Sequence, residues 1–142
     1  NVNTDFVALA NFRYSIRRFL KTSERAAISA GLEPQQHQLL LLLKALSVQD
    51  LDTSVMVLAE RLLLKHHGVV GLIDRLEEKG FVSRSRDDKD RRRVEVQLTQ
   101  RGEETIEQLT AFHQRELNVL APELIGLLQS IVHVHALEGS AD

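Results

Sequence analysis

The chain has 142 residues, of which 27% are charged, with a formal net charge of −2 and no cysteine. That length suits one domain with a substantial core, and the missing thiol excludes disulfides, thiolate catalysis and cysteine-ligated zinc. The longest leucine run, Leu39–Leu43, is far too short to span a bilayer and no secretory leader pattern is seen, so a cytoplasmic protein without a membrane partner is expected.

A first helix is expected over about Thr4 to Ala30. Phe6, Leu9, Phe12, Ile16 and Phe19 recur three or four residues apart, while Arg13, Arg17, Arg18, Lys21 and Arg25 occupy the opposite face. Gly31 closes it, and Pro34 suits the first position of a second helix, about Pro34 to Leu46. That helix is apolar nearly all round and should lie at the centre of the core. A polar break with capping residues (Asp50, Asp52, Thr53, Ser54) leads into a short helix, about Val55 to Leu63, and then one from Lys65 or His66 to Lys79. Gly80 stands where a helix end favours a left-handed residue. Phe81 to Arg86 reads as a strand. Val94, Val96 and Leu98 alternate with Glu95 and Gln97 in a second, half-buried strand, and the turn Asp87–Asp90 makes the pair a hairpin. Thr99 is placed to cap another helix, which Pro122 is expected to break, and a last helix should end near Ala136.

This order of helix, turn, helix, glycine and basic hairpin is that of a winged helix-turn-helix. Charge is segregated accordingly: residues 61–101 hold 11 Lys/Arg against 7 Asp/Glu, and the remainder holds 7 against 13. A negative total therefore conceals a positive middle, and the local field is what a partner meets. With Val69, Leu72, Ile73 and Leu76 facing the core, His66, His67, Gly68, Val70 and Gly71 are left to face a major groove about 12 Å wide. Lys65 at the helix start suits a phosphate. The hairpin adds Arg84, Arg86, Lys89, Arg91, Arg92 and Arg93, and guanidinium groups suit a narrow minor groove. The plainer reading is a solvated loop whose arginines pair with Asp87, Asp88 and Asp90. Helix-turn-helix order, strand pair and charge agreeing together favours double-stranded DNA as the partner.

The segment resembles the multiple-antibiotic-resistance regulator (MarR) family of bacterial transcription factors. The resemblance is carried by Leu58-Ala59, Asp74-Arg75-Leu76-Glu77, Lys79-Gly80, Arg84, Asp90-Arg91-Arg92, Leu98-Thr99 and Gly102, with Leu32-Glu33-Pro34-Gln35-Gln36 ahead of the second helix. It covers about residues 30 to 105. It implies a mainly α fold with a small β-hairpin wing. The winged helix-turn-helix lobe would span 32–99 of a single domain, and 1–31 with 100–142 would form a helical dimerisation region. It further implies a homodimer on a pseudo-palindromic operator, a repressor released by a small aromatic or anionic effector. The recognition helix would begin at Lys65 and include Arg75, and Arg92 would enter the minor groove with Asp90 orienting it. Terminal amphipathic helices beside a small lobe point independently to an interface, for which Phe6, Leu9, Leu124, Leu128 and Ile131 are the expected contacts. Arg13, Arg17 and His37 are the candidates to meet an effector.

Departures from the family pattern lie on the recognition helix, where Lys65, Gly68, Val70 and Gly71 replace the hydroxyl and arginine side chains usual there. Each glycine costs about 1 kcal/mol relative to alanine, which suits close approach to a partner. The six histidines do not fall into chelating pairs: His66 and His67 diverge on their helix, and His133 and His135 are two apart. His37 and His113 would need the fold to bring them together. No cofactor or metal is expected, and no enzyme, since nucleophile elbow, phosphate loop and HExxH are all absent. The alternatives are a winged-helix module for an acidic protein partner, or a zinc-responsive member of the same family.

Overall fold

The computed structural model describes residues 1–86, 88–90 and 92–139, with side chains described as far as residue 132. Seven elements follow in order: α1 (Val2–Ser29), α2 (Pro34–Val48), α3 (Val55–Leu62), α4 (His66–Glu78), β1 (Val82–Arg86), β2 (Val94–Leu98) and α5 (Gln100–Gly139). They divide into two compact units, one from Ala26 to Ala111, the other made of Asn1–Arg25 with the chain from Phe112 on.

The core of the Ala26–Ala111 unit is built around α2. Leu39, Leu40, Leu43 and Leu46 are almost completely buried there, against α3, α4 and β2. This is the central helix that the leucine run requires. Leu58 from α3, the α4 stripe Val69, Leu72, Ile73 and Leu76, and Phe81, Val82 and Val96 from the hairpin complete the same core. Ala27, Ile106 and Leu109 also belong to it, so the unit extends beyond the 32–99 segment in both directions.

Local chemistry accounts for the joints. Gly31 has φ 84°, and the Leu32 N–H reaches the Ala27 carbonyl at 2.9 Å, closing the end of α1. Pro34 opens α2 behind a capping box in which the Glu33 N–H donates to Gln36 Oε1 at 3.0 Å. Gly80, also at φ 84°, ends α4, with the Phe81 N–H on the Leu76 carbonyl at 2.9 Å. Lys79 then ties this corner to the start of α2 through Gln36 Oε1 and the Gly31 carbonyl.

Leu63 closes α3 in the left-handed region at φ 56°, with the Leu64 N–H on the Ala59 carbonyl. A branched side chain is strained there, and Leu63 is 90% exposed, so packing does not offset the strain. Leu63→Gly is therefore expected to stabilise the chain by about 1 kcal/mol in a urea titration.

The hairpin is antiparallel, registered from Val82↔Leu98 to Arg86↔Val94. Thr99 caps α5 as expected: its Oγ1 accepts the Gly102 N–H at 3.1 Å and donates to the Gly80 carbonyl at 2.6 Å. One expectation fails. Pro122 does not end a helix, because α5 runs through it as a single 40-residue element. Proline φ is itself helical, and the helical turns on both sides hold the backbone through this position. The loss is then one hydrogen bond, in a helix with intact turns on both sides.

In the second unit, α1 carries Ala8 and Ser15 buried, and the His113 ring of α5 meets Phe19 and Phe112 edge-on at 5.9 and 5.4 Å. Among the described residues no helix is long and apolar enough to cross a membrane.

Candidate nucleic-acid interface

Helix α4 turns one face inward and leaves the other bare. Lys65, its N-cap, is exposed, as are His66, His67, Gly68 and Arg75, while Val70 and Gly71 are half-buried. A Cβ on Gly68 would meet nothing within 4 Å, and one on Gly71 would meet only Arg75 Nη1 at 3.5 Å. Packing within the chain therefore does not require either glycine.

The hairpin arginines divide by what they hold. Arg84 forms an ion pair with Asp74 of α4 and reaches Glu77 at 3.6 Å, and its backbone N–H donates to Glu77 Oε2 at 3.2 Å. Its guanidinium fastens the first strand to α4 rather than projecting outward. Arg93 forms an ion pair with Asp52, in the segment that leads into α3. The Thr53 carbonyl also accepts the Val96 N–H, so the returning strand is fixed at that point. Arg86, Lys89 and Arg92 are exposed. At the tip, Asp90 Oδ1 accepts the Arg92 N–H at 3.1 Å and the Asp90 carbonyl accepts the Arg93 N–H at 3.0 Å. The carboxylate shapes the turn on which Arg92 stands. Arg91 lies outside the described residues.

Asp52, Asp74 and Glu77 were not anticipated as parts of this site. Asp74 and Glu77 sit three apart on α4, a spacing that offers two carboxylates to one cation. The Asp52–Arg93 contact joins distant parts of the chain, and no local pattern signals it. Arg93 and the Ser54 backbone N–H hold the Asp52 carboxyl below its ordinary range. A group so lowered lends stability above its unfolded pKa, about 3.9, and that contribution is lost as pH falls through the folded value. The stability gap between wild type and Asp52→Asn should accordingly be constant near neutrality and close in urea titrations below about pH 4.

Among the described residues no three His, Asp or Glu side chains approach closely enough to hold an ion. His66 and His67 are exposed on α4, His37 is buried on α2, and the side chains of His133 and His135 lie outside the described residues.

A helix with a bare outer face, preceded by α3 and followed by a braced basic hairpin, defines a winged helix-turn-helix of the DNA-binding kind. Residues 30–93 match the MarR family. The helix-turn-helix-type transcriptional regulator YkoM of Bacillus subtilis is 33% identical over 109 residues, which cover 75% of this chain and 68% of YkoM. The chain belongs to the MarR family of DNA-binding transcriptional regulators. Its relatives are regulators, not enzymes. The fold is also that of MepR from S. aureus in complex with DNA, with a TM-score of 0.70, 21% identity, and 91% and 94% of the two chains covered. CouR from Rhodococcus jostii RHA1, bound to p-coumaroyl-CoA, gives a TM-score of 0.62 at 24% identity, covering 80% of this chain and 83% of CouR.

Proposed function

We propose that the protein is a homodimeric repressor that binds a pseudo-palindromic operator, laying α4 in the major groove and the hairpin tip in the minor groove. The observation that carries this reading is the pairing of a bare α4 face with Arg92 on a hairpin that Arg84 ties to the same helix. Lys65, His66, His67, Gly68, Val70, Gly71 and Arg75 meet the major-groove side, and Arg86, Lys89, Arg91 and Arg92 the flanking backbone and minor groove. Arg84 and Arg93 act by positioning. The DNA complex of MepR supports the reading, which puts the protein's work in the cytoplasm.

Dimerisation is supported by apolar surface on α1 and α5. Phe6 is 67% and Leu9 52% exposed. Leu128 is exposed as well, and Leu124 and Ile131 are half-buried. Sedimentation should return two copies, and a monomer at micromolar concentration would remove the two-site operator. A small aromatic or anionic effector is supported by the CouR complex and by the exposed Arg13 and Arg17. His37, buried on α2, would meet a ligand only from within the lobe.

The test is duplex binding followed by fluorescence anisotropy across a salt series. Phosphate contacts require log affinity to fall steeply with log salt. A flat dependence, or binding to acidic protein in preference to duplex, would favour the protein-interaction module instead.

A further inference from the structure

The basic row on α1 is used neither by the winged lobe nor by the expected dimer contacts. Arg13, Arg17, Lys21 and Arg25 follow at four-residue intervals, so they form an inclined row, each about 6 Å further along the axis and turned about 40° from the last. All four are exposed. Like charges at this spacing work against a helix, and among the described residues none of the four has a carboxylate partner. Glu24 is the only acidic residue between Arg13 and Arg25. Arg18 behaves differently. Its guanidinium stands 5.7 Å over the Tyr14 ring and 4.0 Å from Glu123. Tyr14, Arg17, Arg18, Lys21, Thr22 and Arg25 together line a shallow groove of about 350 Å³, at the lower end of small-molecule sites.

We propose that this groove binds a nucleotide-class anion, an organic phosphate carrying a planar base. Arg17, Lys21 and Arg25 hold the phosphates, and the exposed Tyr14 ring stacks on the base. A lone carboxylate would engage one cation of the row, whereas a run of three suits a ligand with several phosphate groups in series. Guanidinium forks match phosphate oxygens in pairs. From Tyr14 to Arg25 the helix advances about 16 Å, the reach of a nucleoside with two or three phosphates. That is well short of the roughly 34 Å turn of a duplex. The groove's part in regulation rests on the effector reading above; its binding does not.

Calorimetric titration of the whole chain with ADP, pyrophosphate and benzoate tests the assignment. ADP should bind tightest, pyrophosphate more weakly and benzoate least. Replacing Arg17 and Lys21 together by Gln should weaken ADP by at least about tenfold, and Tyr14→Ala should lower it about tenfold, to the level of pyrophosphate. These side chains are exposed, and an ADP-dependent rise in wild-type melting temperature checks the site without any variant. Absence of ADP binding would overturn the proposal, as would equal binding of ADP and pyrophosphate unaffected by Tyr14→Ala. Loss of duplex affinity in the Arg17 and Lys21 double variant, measured without ADP, would reassign the row to nucleic acid and overturn it too. ADP binding by a chain that ignores duplex would uphold the groove and sink the regulator, and duplex binding by a chain blind to ADP would do the reverse.

Discussion

Replacing Gly102 with alanine is expected to cost about 3 kcal/mol or more of folding stability. The reason is a backbone contact. A Cβ at this position would stand 2.2 Å from the Phe81 carbonyl oxygen and 3.2 Å from Leu98 Cδ2. Neither side can retreat easily. Phe81 is 1% exposed, its N–H is held by the Leu76 carbonyl, and its own carbonyl accepts the Thr99 N–H at 3.0 Å. Arg101 lies over the same ring at 4.3 Å. Relief of the clash means lifting the first turn of α5 off the hairpin, with loss of the Thr99 hydrogen bonds, each worth about 1 kcal/mol. Gly126→Ala is the control, since a Cβ there meets nothing within 4 Å and alanine should favour the helix by up to about 1 kcal/mol. Urea unfolding of both variants reads the contrast. A loss below about 1 kcal/mol for Gly102→Ala would mean that the two backbones are not in fixed contact.

Removal of the Arg92 side chain should weaken duplex binding by about tenfold or more, the 1–3 kcal/mol typical of a specific arginine contact, and leave the melting temperature unchanged. Both halves follow from its placement. Arg92 is exposed, and its hydrogen bond to Asp90 is made by the backbone N–H, which alanine retains. Arg84→Ala behaves differently, because it releases Asp74 and Glu77 and so disturbs stability and affinity together. Arg92→Lys separates charge from shape. If the planar fork enters a narrow groove, lysine will restore the salt dependence but only part of the affinity. Unaltered affinity for Arg92→Ala would remove the tip from the interface.

Much of this architecture is legible in the residues because the local signals agree. The α4 stripe repeats with helical period, Gly80 and Gly31 stand where a left-handed residue is needed, and Thr99 precedes its helix as a cap. What escapes a linear reading depends on contacts that form only after folding. The hairpin arginines look equivalent in a string of letters, yet Asp74 and Asp52 engage two of them, and the second partner lies far away along the chain. Leu63 carries no mark of its left-handed backbone, because the αL turn is imposed by the packing of α3 and α4 on either side. Pro122 misleads for a different reason: a proline signals a lost hydrogen bond, and whether a helix survives that loss is decided by the turns around it.

The blank outer face of α4 has a consequence for how this protein's preference can change. Because a Cβ at Gly68 meets open space and one at Gly71 meets only the end of the Arg75 side chain, small side chains added there cost the fold little and gain helix propensity. On the proposed placement of α4 in the major groove, specificity and stability are thus largely uncoupled at these two positions. A library randomised at both should return soluble, folded variants almost throughout, sorted by the duplexes they select, so the helix serves as a ready scaffold for retargeting.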